Sequence, residues 1–285
     1  MANFPQLQAL LKRDPRAHKY DFGHVLVIGG SKGMVGAPYM AGMSALRAGA
    51  GLVTIASFPE VINQLESRTL EIMTSELPLE TQAAVTYLMS LTAQRRISVV
   101  VMGPGVNTLL ARVCCTLLPQ LTVPVVIDAG VLTALGDDIS VLAQAAEANH
   151  GLILTPHWGE YAKLRKVDIS DEERAEAEAA KFVQHYQVTL VLKGHQTLVA
   201  TKYGNLYRNN SGNAGMATAG TGDVLAGVIA GLLAQGMSPQ LASEWGVYLH
   251  GLAGDLAANK KTQPGMIATD LIESLPEAWA RIGTD

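Results

Sequence analysis

Six short runs of β-branched and other apolar residues recur along the chain: HVLVIGG (24–30), GLVTIAS (51–57), ISVVVMG (97–103), VPVVIDAG (123–130), GLILTP (151–156) and VTLVLKG (188–194). A strand with one wet face alternates polar and apolar residues, whereas these runs are apolar almost throughout, so both of their faces must be covered. Between them lie segments with helical spacing, such as GAPYMAGMSALRAGA (36–50) and DEERAEAEAAKFVQHY (171–186). The second carries charges on one side and alanines, Phe182 and Val183 on the other. Strand alternating with helix predicts an α/β three-layer sandwich, a mainly parallel sheet flanked by helices. After Lys193 the rhythm changes. QTLVATKYGNLYRNN (196–210) reads as a hairpin turning at Gly204-Asn205, and from Asp223 onward the pattern is mostly helical. No linker, repeat or charge break divides the chain, so the expectation is one domain over residues 1–285.

The 285 residues, 48% of them hydrophobic and 16% charged, can bury a large core. A formal charge of −4 with no long basic run gives no pull toward nucleic acid or an anionic membrane. The N-terminal stretch has no continuous apolar leader core, and no run of about 20 apolar residues follows. These features predict a cytoplasmic protein of small-molecule chemistry. Cys114 and Cys115 are adjacent within an apolar stretch and read as buried helical thiols rather than a redox pair.

In an open parallel sheet, ligands gather where strands end and loops begin. The first loop, GGSKGMVGAP (29–38), could cradle phosphate or be a tight turn. It is neither a Walker loop, because Gly33 and Met34 follow Lys32, nor a full Rossmann fingerprint, although Gly30, Gly33 and Gly36 and a displaced acid, Glu60, can be aligned with one. MGPGVN (102–107) exposes backbone amides at a turn. Asp128, at the end of the fourth run, could do chemistry, hold a metal through water or cap the next helix, with capping the plainest expectation. His157 in TPHWGE is a turn residue or a ligand contact, and no zinc spacing accompanies it. Lys193 leaves a buried strand and must reach solvent or an anion, for which phosphate is suited.

The most informative stretch is NAGMATAGTGDVLAG (213–227). Val224, Leu225, Val228, Ile229, Leu232 and Leu233 recur at helical spacing, so the helix starts near Asp223 and AGTG is the turn that feeds it. The amides of Gly220, Thr221 and Gly222 would then form an anion hole at the positive end of the helix. Asp223 beside that hole either caps the helix or takes the proton of a substrate hydroxyl as its oxygen attacks a phosphoryl group. A cap alone does not require a run of small residues, which favours the second role.

The loop AGTGDVLAG resembles the Gly-x-Gly-Asp signature of ribokinase-like small-molecule kinases. More narrowly, HKYDFGHVLVIGGSKGMVGAPYMAGMSALRAGAGLV, GPGVN, LTPHWGE, KGHQT and NAGMATAGTGDVLAGVIAGLLAQG, in that order over roughly residues 18–260, resemble the ADP-dependent NAD(P)H-hydrate dehydratase family. The resemblance implies a ribokinase-like fold and repair of damaged nicotinamide cofactors. The hydroxyl of S-NADHX or S-NADPHX would be phosphorylated by ADP or ATP, and phosphate would then leave to restore NAD(P)H.

On this resemblance Asp223 is the catalytic base and Gly220, Thr221 and Gly222 are its anion hole. Lys193, Gly194, His195, Gln196 and Thr197, with Gly222, hold the adenine nucleotide. Ala37, Gly105 and His157 contact the hydrate together with Asp223. The resemblance also implies magnesium, with no ligands assigned, a homotetramer, and an epimerase supplied by another chain. Ala214, Ala219, Gly130 and Trp158 depart from the residues common in the family, and Gly130 weakens any role for Asp128. A vitamin or sugar kinase of the same fold shares the Asp223 chemistry, and a non-catalytic nucleotide sensor is the other alternative. A Rossmann dehydrogenase has no place for the late Gly-x-Gly-Asp loop.

Overall fold

A computed structural model describes residues 5–149, 151–166 and 172–284. Among these residues nine strands form one sheet: β1 (His24–Ile28), β2 (Leu52–Ser57), β3 (Met73–Glu76), β4 (Val99–Met102), β5 (Val125–Ile127), β6 (Leu152–Leu154), β7 (Thr189–Leu192), β8 (Leu198–Ala200) and β9 (Leu206–Arg208), in the order β3-β2-β1-β4-β5-β6-β7-β8-β9. Pairing is parallel from β3 to β7, with Val25 opposite Val53 and Val99, and antiparallel for β8 and β9. All six apolar runs are strands of the parallel part, and the hairpin predicted around Gly204 is β8–β9. The parallel edge strand β3 was not anticipated. Its sequence MTSE is too short and polar to read as a strand, and only β2 beside it makes it one.

Helices cover both faces. On one side lie α1 (Pro5–Ala9), α2 (Gly36–Arg47), α3 (Pro59–Leu65), α10 (Thr221–Ala234), α11 (Pro239–Lys261) and α12 (Ala268–Thr284). On the other lie α4 (Thr81–Gln94), α5 (Thr108–Leu117), α6 (Ala129–Asp137), α7 (Ser140–Ala148), α8 (Trp158–Arg165) and α9 (Glu172–Tyr186). The pleat divides the valines and leucines between the two cores: Val25, Val27, Val99 and Val101 face the first, Leu26, Ile28, Val100 and Met102 the second. That is the two-sided burial the unalternating runs predict. Cys114 and Cys115 sit in α5, one buried and one partly so, as expected. The helix expected over 171–186 begins at Glu172, with residue 171 outside the described residues.

One packing decides where the site lies. A Cβ on Gly227 would stand 2.1 Å from the Ala41 carbonyl oxygen, and one on Gly231 would stand 2.6 Å from that of Ala45. Glycines one turn apart on α10 therefore let its backbone rest on that of α2. The strand order reverses between β1 and β4, opening a crevice beyond the carboxyl ends of the strands. Among the described residues, no helix is long and apolar enough to cross a membrane.

Candidate functional site

The crevice begins with two loops tied together. The Gly30 amide donates to the Pro104 carbonyl at 2.8 Å, and the Ser31 hydroxyl donates to the Gly105 carbonyl at 2.8 Å. Gly105 has a positive φ of 66°, and a Cβ there would sit 3.0 Å from that of Ala37, so these two expected contact positions face each other. Lys32 of the first loop is exposed, and Glu60 lies in the first turn of α3.

Asp128 corrects an expectation. It occupies the position before α6, with extended φ of −131°, but its side chain makes no capping bond. Its Oδ1 instead accepts from Lys193 Nζ at 2.7 Å, and its side chain is only 2% exposed. A buried carboxylate is held more strongly by a cation than by backbone amides, and β5 and β7 bring one within reach across the sheet. Glu160 Oε2 approaches the same Nζ at 3.9 Å. Burial pushes the Lys193 pKa down, but the charges of Asp128, Glu160 and Asp223 outweigh it and hold the ammonium above its ordinary value.

His157 sits beside this cluster. A parallel bridge pairs it with Lys193 past the end of β6. Its Nδ1 accepts from the amides of Gly159 and Glu160 at 3.0 and 3.2 Å, while its own amide donates to Glu160 Oε2 at 2.9 Å, a reciprocal cap for α8. The indole nitrogen of Trp158 would lie 2.7 Å from a Cβ on Gly194, so the departure at 158 packs on the glycine of KGHQT.

The start of α10 closes the arrangement. Gly220 precedes the helix with φ of 91°, where a Cβ would meet the Met40 side chain at 2.4 Å. The Thr221 hydroxyl donates to the carbonyls of Met216 and Thr218, at 2.9 and 3.0 Å, which tightens the turn. The first helical amides then have no partner within the helix and lie at its positive end. Asp223 is the third helical residue rather than the cap. A Cβ on Gly222 would stand 3.2 Å from Lys193 Nζ and 3.8 Å from Asp128 Oδ2, so the absent side chain lets the helix end meet the ion pair. Burial, then the charge of Asp128, raise the Asp223 pKa from 3.8 to about 7. Lys193 partly offsets them and Glu160 adds to them.

A cavity of about 500 Å³ opens beside this turn. Lys193, Gly194, His195, Gln196 and Thr197, the residues expected to hold the nucleotide, all line it with Thr221 and Gly222. Ala37, Gly105 and His157 do not line it. The sequence reading missed its remaining wall: Asn209 to Ala214, Met216 and Ala217 from the loop after β9, Leu225 from α10, and Val247, His250 and Gly251 from α11. Asp255 pins that loop by accepting from the Gly212 amide and the Asn213 side chain, both at 2.9 Å. The polar run RNNSGN could have marked the loop, and a lone histidine within the apolar spacing of α11 could have marked His250. No group of three His, Cys, Asp or Glu among the described residues is disposed to hold a metal ion.

Sheet order, helical layers and glycine turn define a ribokinase-like α/β fold, shared with a ribokinase-like superfamily protein of Enterococcus faecalis at TM-score 0.79 and 28% identity, over 98% of this chain and 95% of that one. More narrowly, the sequence profile of the NAD(P)H-hydrate dehydratase family matches residues 25–277, and the chain belongs to that family. It is 45% identical over 278 residues to the bifunctional NAD(P)H-hydrate repair enzyme Nnr of Moorella thermoacetica, covering 94% of this chain and 51% of that protein. The chain spans about half the length of the bifunctional curated relatives it matches. The ADP/ATP-dependent NAD(P)H-hydrate dehydratase of Bacillus subtilis, co-crystallized with ATP and Mg2+, superposes with TM-score 0.81 at 27% identity, over 98% of this chain and 96% of that one.

Proposed function

We propose that the chain is an ADP- or ATP-dependent (S)-NAD(P)H-hydrate dehydratase, a hydro-lyase that repairs hydrated nicotinamide cofactors. The observation that carries this reading is the placement of the Asp223 carboxyl group in the first turn of α10, where Lys193 of the nucleotide-sized cavity also converges; burial and the charge of Asp128 push its pKa up to about 7. The adenine nucleotide occupies the cavity, with its phosphates against Lys193 and the amides of Thr221 and Gly222. The hydrate lies in the crevice by Ala37, Gly105 and His157.

Asp223 accepts the proton of the hydrate hydroxyl as its oxygen attacks the terminal phosphorus, and the bond from phosphorus to the bridging oxygen breaks to release AMP from ADP, or ADP from ATP. The helix amides and Lys193 hold the charge of the transferred group. The carbon–oxygen bond to phosphate then breaks, a proton leaves the neighbouring carbon, and the 5,6 double bond returns. Hydroxide is a poor leaving group and phosphate a good one, so the nucleotide makes the elimination possible.

The donor set suits magnesium carried on the nucleotide rather than a resident ion. Magnesium keeps much of its water and takes one or two carboxylates plus phosphates, and Asp128 and Glu160 are the carboxylates beside Lys193. When bound, it neutralises charge on the phosphate oxygens. A homotetramer, and an epimerase that converts R to S hydrates, belong to the same reading.

The test is absorbance at 340 nm on incubating S-NADHX with protein, magnesium and ADP. A nucleotide-dependent rise that Asp223→Ala lacks is expected. A flat trace with nucleotide still bound would overturn the reading in favour of a kinase of small alcohols.

A further inference from the structure

The buried residues of α11 are small or aliphatic apart from one ring, His250, 8% exposed. Its Nε2 lies 3.0 Å from the Thr221 carbonyl oxygen. A carbonyl only accepts, so Nε2 carries the hydrogen and Nδ1 of the neutral ring is an acceptor. Burial lowers the ring's pKa to about 4, against the Thr221 bond, so it is uncharged near neutral pH. Nδ1 has no hydrogen-bond partner among the described residues, yet it is not among the buried polar atoms sealed away from solvent. The ring lines the nucleotide-sized cavity, so that is where Nδ1 is open. Leu225 and Val247, from the same wall, offer it no donor. An acceptor that opens only into the cavity takes its hydrogen bond from what occupies that space, whether water or a donor group of a ligand.

We infer that His250 accepts a hydrogen bond through Nδ1 from a donor group of the bound nucleotide, while its Nε2–H holds the Thr221 carbonyl. One ring thereby ties the ligand to the first turn of α10. The inference rests on the nucleotide reading of the cavity given above. The donor is a ribose hydroxyl or a base amine, because phosphate oxygens are acceptors at neutral pH. Occupancy of the cavity and placement of the turn that carries Gly222 and Asp223 are coupled through this side chain, which makes His250 both a specificity contact and a positioning residue.

Calorimetric titration tests this without reference to turnover. ADP, 2′-deoxy-ADP, 3′-deoxy-ADP and inosine diphosphate are titrated into the unaltered protein and into His250→Phe, which keeps the bulk of the ring and removes both nitrogens. His250→Leu carries the same comparison should phenylalanine not fit. The expected result is an ADP affinity about tenfold weaker in the variant. One analogue should bind the unaltered protein about tenfold more weakly than ADP, yet bind the variant no more weakly than ADP does. A purely structural role would lower thermal stability and weaken all four ligands by one common factor, and that result would overturn the inference, as would unchanged ADP affinity. Absence of binding of both ADP and ATP by the unaltered protein would overturn the function proposed above and this inference with it. ADP binding with a uniform loss across the four ligands would overturn this inference alone.

Discussion

Two glycine-rich turns feed two helices that lie against each other, and only one of them has the equipment of a reactive site. The turn before α2 is closed by the protein itself: Gly30 and Ser31 are bonded to the loop after β4, Lys32 points to solvent, and Val35 precedes the helix in helical conformation with no side-chain cap. The turn before α10 has a left-handed glycine, a threonine hydroxyl that braces it, and a second glycine, Gly222, whose missing side chain leaves room beside Lys193 and Asp128. Glycine content and apolar helix are common to both. What separates them is the charge that other strands bring: Asp128 and Lys193 are 65 residues apart in the chain and 2.7 Å apart in space. A small-residue turn makes room for a ligand, and the partners across the sheet decide what chemistry occurs there.

The comparison breaks first at Asp223. If Asp223 is the base, as proposed, Asp223→Asn should lower turnover by about a hundredfold or more while nucleotide still binds, because the amides remain. Steady-state kinetics with calorimetric titration of ADP checks this, and unchanged turnover would return the residue to a structural role.

Lysine substitutions set the two turns directly against each other. Lys193→Ala should weaken ADP binding by at least about tenfold, and it leaves Asp128 buried without its cation, so thermal stability should also fall. Lys32→Ala should change ADP affinity by less than about twofold, since an exposed lysine touches nothing in the cavity. Equal losses at the two positions would show that both turns bind the phosphates.

The backbone contact between α2 and α10 gives a stability effect. Gly227→Ala would press a methyl group onto the Ala41 carbonyl and the Ser44 hydroxyl, each 2.1 Å from the added carbon, and should cost about 1–3 kcal/mol. Urea unfolding measures it, and a neutral result would mean that the helices separate at little cost.

The finest test is pH. If Asp223 must be ionised, kcat/KM should fall below about pH 7 with the raised pKa of that group. Asp128→Asn removes a neighbouring negative charge and frees Lys193, and both changes favour the ionised base, so the acid limb should move to lower pH. For stability the sign is opposite to that of an ordinary carboxylate. Between 3.8 and about 7 the folded protein binds the Asp223 proton more tightly than the unfolded chain, so this group makes folding less favourable as pH rises through that window. Asp223→Asn should abolish that decline, which unfolding titrations between pH 4 and 8 would show.

Short-range pattern accounts for what was legible in the sequence. The unalternating strands announced a sheet covered on both faces, the spacing from Val224 announced α10, and the ordered motifs announced the family, which the profile match over residues 25–277 bears out. β3 was illegible because MTSE becomes a strand only by pairing with β2. Asp128 was read as a cap because, in sequence, an acid before a helix has only backbone amides as visible partners. His250 stood out in the sequence only as a lone histidine in an apolar helix, and nothing there showed its carbonyl partner, which lies 29 positions away.

The sequence alone therefore determined the type of most elements, the two-sided burial of the strands and the glycine turn from which α10 starts, since these depend on neighbours a few residues off. Tertiary structure alone decided the Lys193–Asp128 pair, the pKa of Asp223 near 7 and the wall of the cavity, because charge interaction and burial depend on distance through space, which chain separation does not set.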